Sequence, residues 1–174
     1  LVEAGLGERK SLKMLCGGEP LPAALAQSLS ALGGELWNMY GPTETTIWSS
    51  VARIDDPDAP ITIGHPIANT QLYILDARNR LAPVGVTGEL NIGGDGLALG
   101  YFNSVEQTQA AFRNVSIGGV PQRLYKTGDV GRRLADGSLQ LLGRRDNQIK
   151  LRGFRIELGD IEAVIAKAEG VRQC

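Results

Sequence analysis

Cysteine and histidine, the residues that most often bind metals or act as nucleophiles and bases, are scarce in this 174-residue chain. The two cysteines are Cys16 and Cys174, and the one histidine is His65. Two cysteines are too few for a disulfide framework and favour a reducing compartment, which we take to be the cytoplasm. The three residues show no zinc-site spacing. His65 lies in the turn-like sequence Gly64-His65-Pro66, and we interpret it as a structural residue rather than as part of a Ser-His-Asp triad.

Charge of one sign and long apolar runs are also missing. The formal charge is −1, from 18 Lys and Arg against 19 Asp and Glu. This balance gives no basic excess of the kind that predicts binding to nucleic acid or to an anionic membrane. No apolar run approaches the ~20 residues of a membrane span. The chain begins without Met, a basic region or an apolar leader, so we expect it to be a segment of a longer protein.

Three common functional signatures are absent as well. The sequence contains no GxxxxGK[ST] phosphate loop, no GxGxxG fingerprint and no GxSxG elbow. Glycine, in contrast, is abundant, with 23 residues in 174 against a usual share of about 7%. We expect these glycines to serve turns and close backbone approaches. The length suits one domain, or one domain and a piece of another.

The first forty residues predict an α/β unit. Residues 12–16 form a short apolar run that predicts a buried strand, and residues 35–40 predict a second one. Pro22 suits the first turn of a helix between them. Leucines at helical spacing predict its buried face, namely Leu25, Leu29 and Leu32.

After residue 47 the pattern changes to short strands separated by turns, which predicts a mostly antiparallel barrel or sandwich. The predicted strands are 47–54, 71–76, 88–92, 123–127 and 139–142. One helix interrupts them, with Ser104 as its N-cap, Gln107 completing a capping box, and residues 110–112 following. Residues 147–151 and 154–157 then predict two strands, and a helix follows from about residue 158 to 169. We interpret residues 1–145 as one domain and residues 146–174 as the start of a second.

Residues 38–46 (NMYGPTETT) carry the strongest chemical signal. A glycine that permits unusual φ stands beside a proline that fixes it, which predicts a rigid exposed loop. The loop offers an amide, an aromatic face, a hydroxyl and a carboxylate, an inventory that suits a nucleotide and a hard cation. The alternative is an ordinary polar turn with Tyr40 in the core, and the residues alone leave both interpretations open.

Three further segments have weaker signals. Residues 88–101 (GELNIGGDGLALGY) predict a strand, a glycine turn and close backbone packing, with no chemistry of their own. Residues 125–129 (YKTGD) place an acidic group beyond a strand and a glycine, where it could bind vicinal hydroxyls. Residues 143–162 (GRRDNQIKLRGFRIELGDIE) hold basic residues suited to phosphate oxygens, or simply a solvated hairpin.

In chain order these four segments resemble the core motifs of adenylate-forming enzymes, most closely the amino-acid-activating adenylation domains of nonribosomal peptide synthetases. The family patterns are NxYGPTE, GELxIxGxGLARGY, YRTGDL and GRxDxQVKIRGxRIELGEIE. The resemblance covers about residues 12–165, and the GRxDxQ form favours amino-acid activation over the related acyl-CoA synthetases and luciferases. Leu99 departs from the family's usual arginine.

The resemblance implies a mixed fold of α/β and β parts. Residues 1–145 would be the C-terminal portion of the large AMP-binding domain, an α/β unit plus a β-barrel. Residues 146–174 would hold the hinge and the incomplete start of the small α+β C-terminal domain, with Asp146 as the hinge. The family's glycine-rich phosphate loop and an aspartate for the substrate amino group would lie upstream, and its catalytic lysine downstream.

Site residues follow from the same resemblance. ATP would be held by Asn38, Tyr40, Gly41, Thr43, Asp129 and Arg144. Tyr40 would stack on adenine, Asn38 would contact its amino edge, and Asp129 would bind the ribose hydroxyls. The catalytic group would comprise Thr43 at the α-phosphate, Glu44 as the ligand of Mg²⁺, and Lys150. Lys150 and Gly153 would lie on a hairpin that faces the nucleotide or an incoming pantetheine arm.

The implied reaction has two steps. An amino-acid carboxylate attacks the α-phosphate of ATP, giving aminoacyl-AMP and pyrophosphate, and the phosphopantetheine thiol of a peptidyl carrier protein then accepts the aminoacyl group. Neighbouring synthetase domains would be further partners. The substrate pocket would be lined by Leu15, Gly17, Met39, Ile47 and Trp48. These residues are uncharged and partly bulky, so we expect a small substrate, with glycine as the best candidate.

Two alternatives stay open. An acyl-CoA or aryl-acid ligase of the same superfamily would share these motifs, and an aspartate in the upstream amino-binding position would argue against it. A non-catalytic remnant that binds a nucleotide or a partner protein would also fit a chain that ends at Cys174. The reading frame on both sides of the segment would separate these possibilities.

Overall fold

The α/β unit at the start of the chain carries the first sheet. The computed structural model describes residues 7–8, 10–146, 148–151, 154–156, 158–168 and 171. Strand β1 (Lys13–Gly17) and strand β2 (Glu35–Tyr40) run parallel, joined by helix α1 (Ala23–Ser30). A parallel pair needs such a crossover, and the predicted strand–helix–strand order is confirmed.

Helix α1 begins after Pro22 and covers one face of this sheet. The buried cluster between them contains Met14, Leu21, Ala26, Leu29, Leu32 and Leu36. One residue of the predicted buried helix face was wrong. Leu25 is 41% exposed, and Ala26 is buried in its place. Ala26 follows Pro22 by four residues and closes the first turn, with its N–H donating to the Pro22 carbonyl at 2.9 Å.

Two antiparallel strands complete the first sheet in the order β1-β2-β3-β4. Strand β3 (Ser50–Arg53) pairs with β2, and strand β4 (His65–Pro66) pairs with β3. The strand predicted over residues 47–54 therefore begins later, at Ser50, because residues 46 and 47 have left-handed backbone conformations. His65 lies in a short exposed strand at the sheet edge rather than in a turn.

The second sheet is antiparallel and has five strands. They are β5 (Thr70–Leu75), β6 (Gly88–Gly94), β7 (Phe112–Ile117), β8 (Val120–Arg133) and β9 (Leu139–Arg144). The order is β5-β6-β8-β7, and β9 pairs with the second half of β8. The predicted barrel is wrong for the described residues, where the sheet stays open. Its long central strand, β8, pairs with β6 along one edge. Along its other edge, the first half of β8 pairs with β7 and the second half with β9.

Helix α2 (Val105–Ala111) is shorter than predicted and lacks the predicted capping box. The Ser104 side chain makes no capping hydrogen bond. Its carbonyl instead accepts from both the backbone N–H and the hydroxyl of Thr108, at 3.0 and 2.8 Å. Phe112, predicted to continue the helix, begins β7, which sequence patterning missed.

The two sheets meet at a shared apolar core. This core contains Tyr40, Ile63, Leu72, Ile74, Leu90, Ile92 and Leu139. Tyr40 comes from the first sheet, whereas most of the others belong to the second. A backbone bridge between Gly64 and Leu139 joins the sheets at the same place. The carboxyl end of β2 is therefore fixed against the middle of the second sheet.

The last described elements are a hairpin and a helix. Strand β10 (Ile149–Leu151) pairs with strand β11 (Phe154–Ile156), and helix α3 (Leu158–Ile165) follows. These three elements confirm the predicted ones, although the predicted helix end at residue 169 lies outside the described residues. Among the described residues no helix has both the length and the apolar character needed to cross a membrane.

Gly64 provides a test of the junction between the sheets. Gly64 and Gly85 both have positive φ, +68° and +81°. A Cβ on Gly64 would overlap the Val51 carbonyl, whereas a Cβ on Gly85 would meet nothing within 4 Å. We expect Gly85→Ala to lower the free energy of unfolding by roughly 1 kcal/mol through backbone strain alone. We expect Gly64→Ala to cost about 1–3 kcal/mol more, from overpacking.

Urea unfolding of the two variants and the parent chain measures this difference. Equal stability losses in both variants would contradict the close approach at the sheet junction.

Candidate nucleotide site

A cavity of about 260 Å³ opens where the end of β2 meets β8 and β9. Its walls contain Gly18, Tyr40, Gly41, Pro42, Thr43, Ile47, Trp48, Tyr125, Thr127, Asp129, Arg144 and Gln148. Three of the four segments singled out in the sequence thus contribute to one cavity, although they are separated by up to about a hundred residues.

The loop after β2 turns sharply because of Gly41. The Ser49 N–H donates to the Tyr40 carbonyl at 2.8 Å, which returns the chain to the strand end. A Cβ on Gly41 would lie 2.8 Å from the Ser49 nitrogen and overlap the Ile47 carbonyl. No side chain larger than hydrogen fits there, so the glycine sets the shape of the cavity wall.

Two β-branched residues of this loop have unfavourable backbones. Thr46 and Ile47 have φ of 62° and 74°, and the Trp48 N–H donates to the Thr46 carbonyl at 2.9 Å. This three-residue turn with a positive central φ is rare and strained. Strain of this kind costs of order 1–3 kcal/mol per residue and clusters at ligand sites. The loop that lines the cavity is thus held away from its relaxed conformation.

Tyr40 combines the two roles that the sequence left open. Its ring belongs to the shared core and is 8% exposed, yet it also borders the cavity. Its hydroxyl donates to Asp129 Oδ2 at 2.5 Å. Burial, and then the adjacent Asp129 carboxylate, raise the pKa of Tyr40 well above its ordinary value. The hydroxyl therefore stays protonated and remains a donor.

Asp129 is held from a second side by Arg144. Arg144 Nη1 donates to Asp129 Oδ1 at 2.8 Å, and Nη2 donates to the Thr127 carbonyl at 3.1 Å. The Asp129 N–H donates to the Thr127 hydroxyl at 2.9 Å. The Tyr40–Asp129–Arg144 network places an oriented carboxylate on the cavity wall, where it can accept hydrogen bonds from a diol.

Asp146 binds the other side of the same guanidinium. Arg144 Nε donates to Asp146 Oδ1 and Nη2 to Asp146 Oδ2, each at 2.7 Å. This two-point pairing of a planar guanidinium with a carboxylate fixes orientation as well as charge. A Cβ on Gly128 would lie 2.6 Å from Asp146 Oδ2. The predicted hinge residue is thus packed against the backbone just before Asp129.

Asn38 and Glu44 do not line this cavity. Asn38 is buried, and its Nδ2 donates to the Thr62 carbonyl at 2.8 Å. Glu44 is 6% exposed, and its Oε1 accepts from the Tyr101 hydroxyl at 2.5 Å. Glu44 belongs to a short 3₁₀ helix at Thr43–Thr45, directly beside the cavity-lining Thr43.

Glu44 offers a carboxylate on the residue next to the cavity-lining Thr43, and oxygen donors of this kind suit a magnesium ion. Mg²⁺ is usually held by one or two carboxylates together with substrate phosphates and waters. The described residues contain no cluster of three or more metal-binding side chains. A carboxylate and a hydroxyl on adjacent residues are compatible with a Mg²⁺ ion that takes its other ligands from phosphates and waters.

The predicted substrate-pocket residues fall into two groups. Gly17 pairs with Met39 across the parallel strands, and a Cβ on Gly17 would overlap the Trp48 indole. Trp48 and Ile47 line the cavity, so the indole covers Gly17 beside it. Leu15 lies on the same sheet face as Gly17, two residues away, and is 67% exposed. The structure brings Gly17, Met39 and Trp48 together, but of the predicted pocket residues only Ile47 and Trp48 line the cavity itself.

Lys150 lies in β10, in register with Arg155 of β11. This agrees with the strand predicted over residues 147–151, whereas the role of Lys150 stays a prediction. Gly153 lies outside the described residues.

A second cavity, of about 330 Å³, shares Tyr125, Thr127 and Arg144 with the first. Sequence reasoning missed two of its residues. Tyr101 contacts Glu44, and the buried Glu89 lies between Lys126 and Arg145, at 3.7 and 3.4 Å. No sequence signal could have found these contacts, because they join residues far apart in the chain.

Comparison with known proteins supports these observations. The family model described as "AMP-binding enzyme" matches residues 3–102. The dimodular nonribosomal peptide synthase of Bacillus subtilis (strain 168) is 48% identical over 165 residues, which cover 94% of this chain and 7% of that protein. Tyrocidine synthase 2 of Brevibacillus parabrevis is 49% identical over 155 residues, covering 87% of this chain and 4% of that protein.

Solved structures agree with the sequence relatives. A nonribosomal peptide synthetase protein with adenylation and PCP domains, bound to a vinylsulfonamide inhibitor, superposes with a TM-score of 0.86 at 34% identity. The match covers 93% of this chain and 29% of that one. A four-domain nonribosomal peptide synthetase bound to AMP and glycine gives a TM-score of 0.79 at 50% identity. That match covers 99% of this chain and 13% of the other.

The chain thus spans 7% or less of the two curated relatives, and a minor part of each solved structure. The family match, the sequence identities and the superpositions all point to one group. The chain belongs to the AMP-binding enzymes, among the adenylation domains of nonribosomal peptide synthetases.

Proposed function

We propose that this chain supplies the nucleotide-binding part of a cytoplasmic enzyme that activates an amino acid with ATP. The product is aminoacyl-AMP, which the enzyme passes to the phosphopantetheine thiol of a peptidyl carrier protein. The observation that carries this proposal is the oriented Asp129 carboxylate, which Tyr40 and Arg144 hold at the wall of a cavity.

The cavity residues suit the separate parts of ATP. Asp129 would accept the ribose hydroxyls, and the ring of Tyr40 would lie against adenine. Thr43 would donate to the α-phosphate from the adjacent loop. The side-chain Nδ2 of Asn38 already donates to the Thr62 carbonyl. A contact with adenine would therefore use the amide oxygen or the second N–H of Asn38.

In the activation step the amino-acid carboxylate oxygen bonds to the α-phosphorus as the bond to the pyrophosphate oxygen breaks. Positioning and neutralisation of phosphate charge dominate such steps. Glu44, with Thr43 as its sequence neighbour, would hold Mg²⁺, which would supply part of that neutralisation. The chain's own residues fix the ribose and the α-phosphate, and Lys150 on β10 would contribute positive charge.

Asp146 would be the hinge between residues 1–145, a large domain, and residues 146–174, the start of a smaller one. The two-point pairing of Asp146 with Arg144 connects this hinge to the residue that holds Asp129. A rotation at the hinge would move the hairpin of β10 and β11, and with it Lys150. The carrier protein's pantetheine arm would then reach the acyl-adenylate.

A small amino acid is the proposed substrate, with glycine as the best candidate. Trp48 covers Gly17, and Met39 lies beside them, so bulky uncharged groups fill the space. A substrate with an acidic or basic side chain would find no oppositely charged partner among the five predicted pocket residues, because all five are uncharged. The four-domain relative that is 50% identical has AMP and glycine bound, which supports this choice.

The first prediction tests the nucleotide site. In an adenylation domain that contains this chain, we expect Asp129→Ala to weaken ATP use by roughly tenfold to a hundredfold, the effect of losing a charged hydrogen bond. Asp136→Ala is the matched control, because it also removes a hydrogen-bonded carboxylate, here one that accepts from Ser138 but lies outside the cavity. ATP KM and kcat, with thermal melting for each variant, measure both effects. An Asp129 variant that melts early yet keeps its ATP kinetics would make Asp129 purely structural.

The second prediction concerns the 174 residues alone. We expect no formation of aminoacyl-AMP, because these 174 residues hold neither the family's glycine- and serine/threonine-rich phosphate loop nor the catalytic lysine of its C-terminal domain. Amino-acid-dependent ATP–pyrophosphate exchange is the assay, with heat-killed protein as the control. Exchange clearly above that control would refute the expectation.

The third prediction concerns the substrate. Excluding one methylene is worth about 1–3 kcal/mol. We therefore expect Trp48→Ala to shift the ratio of alanine to glycine activation by roughly tenfold or more towards alanine. Trp37→Ala removes the other indole, which lies outside the cavity, and should leave the ratio unchanged.

Pyrophosphate exchange across the amino acids, in a domain containing this chain, gives the ratio. Best parent activity with leucine, phenylalanine or a charged amino acid would refute a small pocket. Best activity with cysteine would keep the small pocket and displace glycine, and activity with an aryl acid alone would favour the related ligases.

A further inference from the structure

Residues 88–101 have no part in the function proposed above, although the sequence singled them out. The part of this segment that follows β6, residues 95–101, is a loop that we call the bracing loop. It is hydrogen-bonded to the 3₁₀ helix at Thr43–Thr45 and to the residue after it. Its contacts with the residues around Glu44 give this segment a specific role.

Three hydrogen bonds join the bracing loop to the loop that carries Glu44. The Thr46 hydroxyl donates to the Gly96 carbonyl at 2.7 Å, and the Ala98 N–H donates to the Glu44 carbonyl at 2.9 Å. The Tyr101 hydroxyl donates to Glu44 Oε1 at 2.5 Å. The first bond holds the side chain of Thr46, two residues after Glu44, and the second holds the Glu44 backbone. The third holds the Glu44 carboxylate itself.

Burial makes that third bond important. Glu44 is 6% exposed, so bulk water has little access to orient its carboxylate. The terminal torsion of a glutamate is broad, and a hydrogen-bond donor is needed to select one orientation. In a site of low dielectric such a bond is stronger than in water. Tyr101 therefore supplies a donor that helps to orient the carboxylate of Glu44.

Tyr101 is itself held firmly. Its N–H donates to the Thr108 hydroxyl at 2.8 Å, and its ring packs edge-on against Phe112, with centroids 5.9 Å apart. Arg123 donates to the carbonyls of residues 98 and 99, both at 2.9 Å, and lies over the Phe112 ring at 4.6 Å. The bracing loop is thus fixed to β7 and β8 and can act as a rigid support.

We propose that Tyr101 is a positioning residue, which orients the Glu44 carboxylate for the magnesium ion that accompanies ATP. The inference rests on the proposed function, because it takes Glu44 as the metal ligand. Mg²⁺ demands near-ideal octahedral geometry, so a misdirected carboxylate loses much of its value as a ligand. Partners that orient a metal ligand typically contribute 10–100-fold to metal affinity.

The test uses an adenylation domain that contains this chain, together with Mn²⁺, a paramagnetic substitute for Mg²⁺. Enhancement of water-proton relaxation measures Mn²⁺ binding to the domain at saturating ATP, and nuclear magnetic resonance shifts measure ATP binding in EDTA. We expect Tyr101→Phe to weaken Mn²⁺ binding roughly tenfold, and to change metal-free ATP affinity less than about twofold. Tyr101→Phe keeps the ring against Phe112, and urea unfolding verifies that the variant folds.

Tyr73→Phe is the matched control, because it also removes one hydroxyl from a half-buried tyrosine, here on β5 in the other half of the sheet. It should leave Mn²⁺ binding unchanged. Glu44→Gln completes a double-mutant cycle. If Tyr101 acts through Glu44, Tyr101→Phe has no further effect once Glu44 is glutamine.

The outcomes separate the two proposals. Weak Mn²⁺ binding in Tyr101→Phe and in Glu44→Gln, without further loss in the double variant, supports the inference. Normal binding in Tyr101→Phe with weak binding in Glu44→Gln overturns the positioning role alone. Normal binding in Glu44→Gln overturns the metal-ligand assignment and the inference with it. Additive losses in the double variant also overturn the inference, because Tyr101 would then act independently of Glu44.

Discussion

The carboxylate of Asp129, held between the Tyr40 hydroxyl and the Arg144 guanidinium, is the interaction around which the site is built. It joins the end of the first sheet to the middle of the second. A largely buried carboxylate is stable only when its oxygens are hydrogen-bonded, and here each oxygen has a donor from a different part of the chain. The raised pKa of Tyr40 keeps that donor protonated. Packing of the sheets and orientation of the carboxylate therefore depend on each other.

Much of the fold could be predicted from local patterning, because β1, α1 and β2 follow directly from apolar periodicity and turn residues. The predicted barrel was wrong for the described part of the chain. Short strand-like runs in the sequence do not reveal that one of them, β8, extends to 14 residues and pairs with three neighbours. Strand β7 was missed because its first residue follows an alanine-rich helix directly. The absent capping box has a local cause, since Thr108 bonds the Ser104 carbonyl.

The candidate site was predictable to the extent that its residues lie in recognisable motifs. Tyr40, Thr43, Asp129 and Arg144 come from three such motifs and border one cavity. The burial of Asn38 and the contact between Glu44 and Tyr101 were not predictable, because each depends on a partner tens of residues away.

The contacts of Gly128 and Arg144 have a consequence for recombination between related synthetases. The space above Gly128 is taken by Asp146, and Arg144 bonds both Asp129 and Asp146. Residues 128–129 and 144–146 therefore form one structural unit, although 14 residues separate its two parts. A chimaera joined between residues 130 and 143 would take the two parts from different parents. A junction placed after Asp146 would transfer the carboxylates and their shared guanidinium together.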